Sequence, residues 1–422
     1  MNAGFIVFLV LVILAFFGLP IYMAICAGTM IAMMAGGFPL EALPQKVFLG
    51  LNSVSLLSIP LFILAGNLMA KGITQKLIDV ANALLGTVRG ALGAITIVAS
   101  AFFGAITGSA VACVAAIGGM MIPAMEKEGY DKDYAVALSS CASLLGPLVP
   151  PAIPLIIYAS LTDVSVQKLF IATISSALFC GGGFLIYALW YGKKHNLPKY
   201  ERKSAKVVGH TIKESIWALL LPVIVLGLIF SGITTVNEAA AISCVYAIVV
   251  TLFVYKSMNF KSFLNVMYKS AIAVSTCMIL VGMSKASSFV VISAQLPQEF
   301  MHIMSSITNS KVIVLIVINI IFLILGCLMD GTSIIVMMVP LMLALVQSYN
   351  INLIQFGIMV AVNTYLGCIT PPVGVSLLLG TKLGNTSMGS SFKACLPFLA
   401  IGLLTLILVT YWPTFTLFAV GQ

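Results

Sequence analysis

The sequence predicts an all-α protein that crosses a membrane many times and contains an internal repeat, with two re-entrant helical hairpins and two discontinuous helices. The first observation behind this prediction is composition: of 422 residues, 61% are hydrophobic and 8% are charged, and the mean hydropathy is +1.15. This composition is typical of membrane-spanning helices and not of a soluble domain. The second observation is a pair of proline doublets in corresponding places of two halves. The third is a glycine-marked segment ahead of each doublet.

The proline doublets lie inside apolar runs that also hold small and polar residues. One segment, Val362–Gly374, reads VNTYLGCITPPVG, and the other, Ser143–Pro154, reads SLLGPLVPPAIP. The glycine-marked segments ahead of them are Phe103–Ser109 and Leu325–Ser333. An offset of 221 residues (367 − 146) superimposes a glycine and both prolines of the two segments. The superimposed residues are Gly146, Pro150 and Pro151 in the first segment and Gly367, Pro371 and Pro372 in the second.

Each doublet is expected to break a membrane-spanning helix. Proline lacks an amide donor and disfavours the helical turn before it, so carbonyl groups of that turn lose their partners. Bare backbone is tolerated at membrane depth only where it is buried in protein or lines a cavity. One break would favour an ordinary kinked helix, whereas two breaks in corresponding places favour the binding site of a secondary transporter. We therefore predict discontinuous helices over residues 134–160 and 356–380.

Two other segments are predicted to form the re-entrant hairpins. Residues 53–70 are short, rich in serine and cut by Pro60, so a segment that enters the membrane and returns on the same side fits them. An ordinary kinked span is the alternative. Residues 271–307 have a similar character, and their turn is predicted near Ser287–Phe289.

A strongly basic segment joins the two halves. Residues 193–213 hold seven of the 21 lysines and arginines of the chain. Because basic loops collect on the cytoplasmic side of a membrane, this connector is predicted to be cytoplasmic. It separates a first repeat over residues 1–192 from a second over residues 214–422. The net charge of +9 is explained by such loops, and binding to nucleic acid is not expected.

Residue patterns for enzyme chemistry or metal binding are scarce. The nine cysteines lie in apolar stretches without a CxxC pair, and the three histidines are scattered. The sequence contains neither HExxH nor GxSxG, which argues against those metalloproteases and hydrolases. Asp330 is the only acidic residue in the apolar run 312–346, so it is a functional candidate whose alternative role is to cap a helix. We predict neither an enzyme nor an organic cofactor.

Four stretches spread over nearly the whole chain resemble one known family. They are Ile59–Gly66 (IPLFILAG), Gly146–Tyr158 (GPLVPPAIPLIIY), Glu238–Ala241 (EAAA) and Gly367–Gly374 (GCITPPVG). With these motifs the chain is similar to the large membrane subunit of tripartite ATP-independent periplasmic (TRAP) transporters. It departs from the family pattern at Ala152, where a serine commonly follows the first proline doublet.

The resemblance implies a fold, an activity and partners. The family fold has a scaffold and a mobile transport domain, with two helical hairpins and two broken helices that are related by an inverted repeat, and transport is thought to be elevator-like. The implied activity is sodium-coupled import of an organic acid, such as a sialic acid or a C4-dicarboxylate, across the bacterial inner membrane. The implied partners are a small four-helix membrane subunit on another polypeptide, a periplasmic substrate-binding protein and membrane lipid.

The resemblance and the repeat together suggest candidate sites for a carboxylate substrate and for at least two sodium ions. Carbonyl and hydroxyl oxygens of broken helices suit a hard cation that needs no fixed geometry. The first sodium site is predicted from Ser58, Gly104, Gly146, Val149 and Ala152. The second is predicted from Gly326, Gly367, Thr370 and Val373. The substrate is predicted to lie between them, near the bilayer midplane, on Ser109, Asp330, Thr332 and Ser333, with Asp330 also able to complete the second sodium site.

Three other functions stay open on the sequence. A stand-alone sodium-coupled dicarboxylate carrier with the same repeat would work without a soluble receptor, so dependence on a binding protein separates the two. A channel would show uptake without sodium coupling. An intramembrane enzyme would need an acid/base pair or a nucleophile, and Asp330 alone supplies neither.

Overall fold

The computed structural model describes residues 2–85, 88–199 and 205–421. Helices make up most of these residues and turns connect them; none of the described residues lies in a strand. The all-helical fold predicted from the composition is therefore confirmed.

The helices of the first half run from the N-terminus to the basic connector. They span Ala3–Phe16 (α1), Ile21–Gly36 (α2), Ala42–Leu51 (α3), Ser58–Leu85 (α4), Ala91–Thr107 (α5), Ala110–Cys113 (α6), Gly119–Lys127 (α7), Lys132–Ala142 (α8), Leu145–Leu148 (α9), Ile153–Thr162 (α10) and Val166–Lys194 (α11). A π-helical turn over Val114–Gly118 joins α6 to α7 without a break, so Ala110–Lys127 forms one span.

The helices of the second half follow the connector. They span Ala205–Phe230 (α12), Val236–Val249 (α13), Phe260–Ser293 (α14), Leu296–Ile307 (α15), Lys311–Leu328 (α16), Gly331–Ser348 (α17), Leu353–Gly367 (α18), Val375–Gly384 (α19), Met388–Tyr411 (α20) and Pro413–Leu417 (α21). Of the predicted connector 193–213, residues 200–204 lie outside the described residues, while its two ends belong to α11 and α12.

The described helices have the length and composition of membrane spans. Nine of them are long and apolar enough to cross a bilayer, or ten if the bent pair α8–α9 and α10 counts as one span. Large apolar side chains on their outer faces are exposed, for example Ile186 (71%), Leu178 (70%) and Phe253 (68%). Such surfaces are stable against hydrocarbon and not against water. The chain is therefore a multi-pass membrane protein.

Both proline doublets lie where a helix is interrupted. The first separates α9 from α10, and the two parts of the span are bent by 43°. The second lies in the turn 368–374 between α18 and α19. In each doublet the peptide bond between the prolines, Pro150–Pro151 and Pro371–Pro372, is cis.

The two hairpins are not where the sequence analysis predicted them. Residues 58–70 belong to the continuous helix α4, because Pro60 is its third residue, where a proline removes no intrahelical hydrogen bond. The predicted turn at Ser287–Phe289 is also wrong, since α14 runs without a break to Ser293. The Ser288 hydroxyl donates to the Ser284 carbonyl 2.8 Å away, which satisfies it inside the helix.

Helix–turn–helix units with tips inside the bundle occur instead at the glycine-marked segments. The first consists of α5 and the span α6–α7, with its tip at Gly108–Ser109. The second consists of α16 and α17, with its tip at Met329–Asp330. Each unit precedes one broken helix, so the same order of elements occurs in both halves of the chain.

The helices pack as two groups that meet along α4 and α14. α4 packs against α12, α13 and α14, while α2 and α3 pack against α14. The second group holds both helix–turn–helix units and both broken helices, in which α8 packs against α19 and α20, and α18 packs against α16 and α20. Contacts of α4 with α5 and of α14 with α17 join the groups. A cavity lies at this junction.

Candidate functional site

A central cavity of about 280 Å³ lies where the two tips, the two helix breaks and α14 meet. Four helices begin at its wall, since residues at the starts of α6, α10, α17 and α19 line the cavity. Residues at these starts are Ser109 and Ala110, Ile153 and Pro154, Gly331 and Thr332, and Val375 and Ser376. The volume suits a small organic molecule.

At the first tip, glycine permits close contact with the first break. A Cβ atom placed on Gly104 would lie 2.4 Å from the Cα of Gly146, and one on Gly108 would lie 2.9 Å from the carbonyl oxygen of Pro151. Real Cβ atoms do not approach so closely, so only glycine fits at both positions. The structure therefore brings Gly104, Gly146 and the turn with Val149 and Ala152 together.

At the second tip the same relationship recurs. A Cβ atom on Gly367 would lie 2.3 Å from the Cα of Gly326. The carbonyl of Cys327, next to Gly326, accepts hydrogen bonds from the amides of Val373 (3.1 Å) and Gly374 (3.2 Å). Gly374 has a φ of +47°, which fits its place in the tight turn. The structure thus brings Gly326, Gly367 and the turn through Thr370 and Val373 together.

Backbone oxygens are left without partners at both breaks. Among the described residues, the carbonyls of Gly146 and Val149 at the first break accept no hydrogen bond. The same holds at the second break and tip for the carbonyls of Gly326, Thr370 and Val373. Gly146 and Gly326 are buried, where unpaired backbone carbonyls are rare, whereas Val149 and Thr370 are half-buried and Val373 is exposed. Clusters of such oxygens are the donor set that a hard monovalent cation takes up.

The two tips carry corresponding capping residues of different charge. Ser109 caps α6, its hydroxyl accepting from the amide of Ala112 at 3.3 Å. Asp330, which lies 221 residues later (330 − 109), caps α17 by accepting from the amide of Ser333 at 3.1 Å and from the Ser333 hydroxyl. Asp330 therefore has the capping role proposed as its alternative, and it also lines the cavity.

The electrostatics of the cavity follow from these elements. Each helix N-terminus carries a partial positive charge of about half an elementary charge, and four of them converge here. Asp330 is the only aspartate, glutamate, lysine, arginine or histidine among the described residues that line the cavity. The arrangement favours an anionic group at the helix starts, next to a carboxylate that would attract a cation.

The structure separates one predicted residue from the rest. A Cβ atom on Gly66 of α4 would lie 3.0 Å from the carbonyl oxygen of Ile106, which places Gly66 beside the first tip. Ser58 is eight residues earlier, about 12 Å along the helix axis, and its hydroxyl donates to the carbonyl of Ser55 at 2.9 Å. Ser58 is therefore not brought to Gly104 and Gly146.

Several residues that line the cavity were not predicted from the sequence. Thr276 and Cys277 of α14 and the buried Tyr365 of α18 line the cavity, and only the packing of distant helices brings them there. Ser376 also lines it; its side chain is fully buried and its hydroxyl has no hydrogen-bond partner among the described residues. Its position just after the second proline doublet was a signal that the sequence analysis did not use.

Comparison with known proteins gives a consistent match. The family model described as "Tripartite ATP-independent periplasmic transporter, DctM component" matches residues 5–415. The chain is 34% identical over 391 residues to the isethionate TRAP transporter permease protein DctMQ of Oleidesulfovibrio alaskensis, covering 92% of this chain and 61% of that protein. It therefore spans about three-fifths of the length of that relative.

A second relative is matched over most of both chains. The C4-dicarboxylate TRAP transporter large permease protein DctM of Pseudomonas aeruginosa is 34% identical over 378 residues, 89% of this chain and 88% of that protein. Among solved structures, the YdaH transporter of Alcanivorax borkumensis has a TM-score of 0.62 at 15% identity, covering 89% of each chain. At that identity the likeness concerns the fold alone.

Proposed function

We propose that this chain is the large permease subunit for sodium-coupled import of an organic acid. The chain belongs to the DctM component family of tripartite ATP-independent periplasmic transporters. The observation that carries this proposal is the convergence of two tips and two helix breaks on one cavity. Broken helices whose ends meet inside a bundle are how secondary transporters hold substrates and coupling ions.

Two sodium ions would be held on either side of the cavity. At the first break, the free carbonyls of Gly146 and Val149 support a site that Gly104 approaches closely. At the second, the free carbonyls of Gly326, Thr370 and Val373 support a site to which the Thr370 hydroxyl adds a further oxygen. Each sodium ion that enters through a potential of 100 mV contributes about 2.3 kcal/mol. Two ions would therefore more than compensate for the inward movement of a singly charged anion.

The substrate would be an organic anion in the central cavity. The helix starts at Ser109, Thr332 and Ser376 offer amides and hydroxyls to its acidic group, and the apolar wall suits a short carbon skeleton. A C4-dicarboxylate or a sialic acid fits this class. The relative named for C4-dicarboxylate supports a carboxylate substrate, and the relative named for isethionate extends the class to sulfonates.

Movement of one helix group against the other would carry the cavity across the membrane. The group around α4, α12, α13 and α14 would be the scaffold, and the group with both tips and both breaks would be the transport domain. We propose that the two halves of the transport domain form an inverted repeat and that the domain moves as an elevator. The glycine contacts that recur at Gly104–Gly146 and Gly326–Gly367 support this repeat.

The proposed orientation follows from charge. With residues 193–213 in the cytoplasm and both tips re-entrant, 17 of the 21 lysines and arginines fall towards the cytoplasmic side of a bacterial inner membrane. The four towards the periplasmic side are Lys46, Lys168, Lys285 and Lys311. In this orientation a periplasmic substrate-binding protein would dock at the ends of α10 and α14, and a small four-helix membrane subunit would complete the permease.

Uptake into proteoliposomes tests this function. They would contain this chain with its small membrane subunit, and would be offered succinate, N-acetylneuraminate and isethionate with and without a sodium gradient and the cognate binding protein. We expect one acid to be taken up only when both sodium and the binding protein are present. Sodium-dependent uptake without the binding protein would favour the stand-alone carrier, and uptake indifferent to sodium would overturn the ion coupling.

A further inference from the structure

A second polar cavity, of about 580 Å³, lies next to the central cavity; we call it the vestibule. Its polar and aromatic lining includes Lys46, Asn52, Ser160, Asp163, Lys285 and Phe289. Three helices, α10, α14 and α17, line both cavities. On α14 the step from Leu280 in the central cavity to Lys285 in the vestibule is five residues, or about 7.5 Å. The vestibule therefore lies directly beyond the central cavity along these helices.

The two lysines are placed side by side by the packing of α3 on α14. The Lys46 ammonium lies 4.5 Å from the ring centroid of Phe289, and a Cβ atom on Gly50 would lie 2.6 Å from the Cβ of Lys285. Lys46 and Gly50 are four residues apart on α3, as Lys285 and Phe289 are on α14. The helices thus cross antiparallel, and the two lysine Cα atoms are about one helical turn apart along the seam.

Neither lysine has a carboxylate partner among the residues that the structure describes. No salt bridge within 4.0 Å joins Lys46 or Lys285 to an acid in the described part of the chain. Lys285 donates one hydrogen bond, at 3.0 Å, to the carbonyl of Ser160 in the last turn of α10. Asp163, exposed at the end of the same helix, is the acid that lies near it. Both lysines are partly withdrawn from solvent, where an unpaired charge is costly.

We propose that Lys46 and Lys285 form a carboxylate-binding site in the vestibule, separate from the central cavity, that holds the acid before it enters. This inference rests on the proposed function for the identity of the ligand as the transported acid. Two lysines whose Cα atoms lie about one turn apart along the seam can direct both ammonium groups to one carboxylate, and with Asp163 the lining of the vestibule keeps a net charge of +1. The central cavity, by contrast, has helix starts and Asp330 but no lysine or arginine among its described lining residues. The vestibule site therefore needs no sodium ion to bind an anion.

A direct binding measurement tests the site without relying on transport. The full chain with its small subunit, in nanodiscs of neutral phosphatidylcholine, would be treated with an amine-acetylating reagent, and acetylation would be followed at each lysine by mass spectrometry. We expect succinate or N-acetylneuraminate to slow acetylation of Lys46 and Lys285 at least threefold in sodium-free buffer, while the neutral analogue succinamide does not. Lys168, exposed on the same side, is the control whose rate should not change. Equal rates at Lys46 and Lys285 with and without either acid would overturn the proposal.

An anionic lipid headgroup could present similar chemistry, and a change of lipid distinguishes it. In nanodiscs with phosphatidylglycerol and no added acid, we expect the two lysines to react as they do in phosphatidylcholine. Slower acetylation there, with no further effect of the acids, would mean that the site belongs to lipid and would overturn the proposal.

Uptake kinetics separate substrate binding from a contact that only holds the two helix groups together. For K46Q/K285Q we expect a concentration of acid at half-maximal uptake that is raised about tenfold, with the maximal rate retained, and no change for K168Q. A lower maximal rate with unchanged half-saturation would mean that Lys285 only joins α14 to α10 through Ser160, against the proposal. If wild-type protein showed no uptake, the proposed function would be contradicted. The acetylation rates of Lys46 and Lys285 would then decide whether the vestibule binds the acid.

Discussion

Gly367 lies against Gly326 so closely that a Cβ atom on Gly367 would be 2.3 Å from both the Cα and the carbonyl carbon of Gly326. This contact joins the second tip to the second helix break. The neighbouring carbonyl of Cys327 accepts two amide hydrogen bonds from the turn that follows the break. The free carbonyl of Gly326 and those of Thr370 and Val373 are thereby held in one small region. The geometry of the proposed second sodium site depends on the missing side chains at these two positions.

G367A is expected to separate the tip from the break. A methyl group at 2.3 Å from backbone cannot be accommodated without a backbone shift, and overpacking of this kind costs about 1–3 kcal/mol of stability. We expect at least a tenfold loss of sodium-dependent uptake, measured in proteoliposomes. G389A on α20 is the matched control, since nothing lies within 4 Å of a Cβ there. Normal sodium-dependent uptake by G367A would contradict the assignment of this contact to the ion site.

T370V is expected to weaken sodium binding without unfolding the protein. The Thr370 hydroxyl donates to the carbonyl of Leu366 at 2.9 Å, and its lone pairs stay available to a cation. Loss of one ligand oxygen should raise the sodium concentration at half-maximal uptake about tenfold, or about 1.4 kcal/mol. T405V is the control: it removes a similar intrahelical hydrogen bond, from Thr405 to Ile401 at 2.9 Å, on α20 and outside the turn that holds Thr370. A similar sodium dependence in both variants would argue against the Thr370 assignment.

D330N and D330A together separate charge from capping. Asparagine caps a helix about as well as aspartate, whereas alanine costs about 1 kcal/mol of stability at such a position. We expect both variants to need more sodium for uptake, because the cavity loses its only carboxylate among the described lining residues. Only D330A should lower the thermal stability measured in detergent. If D330N kept the wild-type sodium dependence, Asp330 would be a helix cap and no part of the ion site.

The broken helices could be predicted from the sequence because their cause is local. A proline doublet removes two amide donors wherever it lies in a helix, and the same glycine precedes both doublets. The hairpins could not be predicted in this way. Pro60 lies in the first turn of α4, where a proline removes no intrahelical hydrogen bond. The hydroxyl of Ser284 donates to the carbonyl of Val336 on another helix. Serine and proline content therefore gave no information about chain reversal in these segments.

The true tips have weaker local signals and depend on contacts made elsewhere. Gly108, with a φ of +61°, turns the chain at the first tip, but the second tip is formed by Met329 and Asp330 in extended conformation. Similarly, the contacts between tips and breaks bring together the predicted site residues that lie there. Whether Ser58 joins them depends on the position of α4 along the bundle. That position is fixed by distant packing, such as Gly66 against Ile106, and it leaves no pattern near Ser58.

Ser376 provides a test of the central cavity that does not involve the ion sites. Its hydroxyl is fully buried, lines the cavity and lacks a partner among the described residues, so a substrate oxygen would satisfy it. S376A should weaken binding of the acid and raise the acid concentration at half-maximal uptake about three- to tenfold. Without substrate it should not lower thermal stability, because an unsatisfied buried hydroxyl costs about 1–3 kcal/mol. S140A is the matched control, since the Ser140 hydroxyl is equally buried and unpartnered among the described residues but is not part of the cavity lining. An effect on acid uptake of the same size in both variants would show that packing between α8 and α19, and not contact with the substrate, explains the loss.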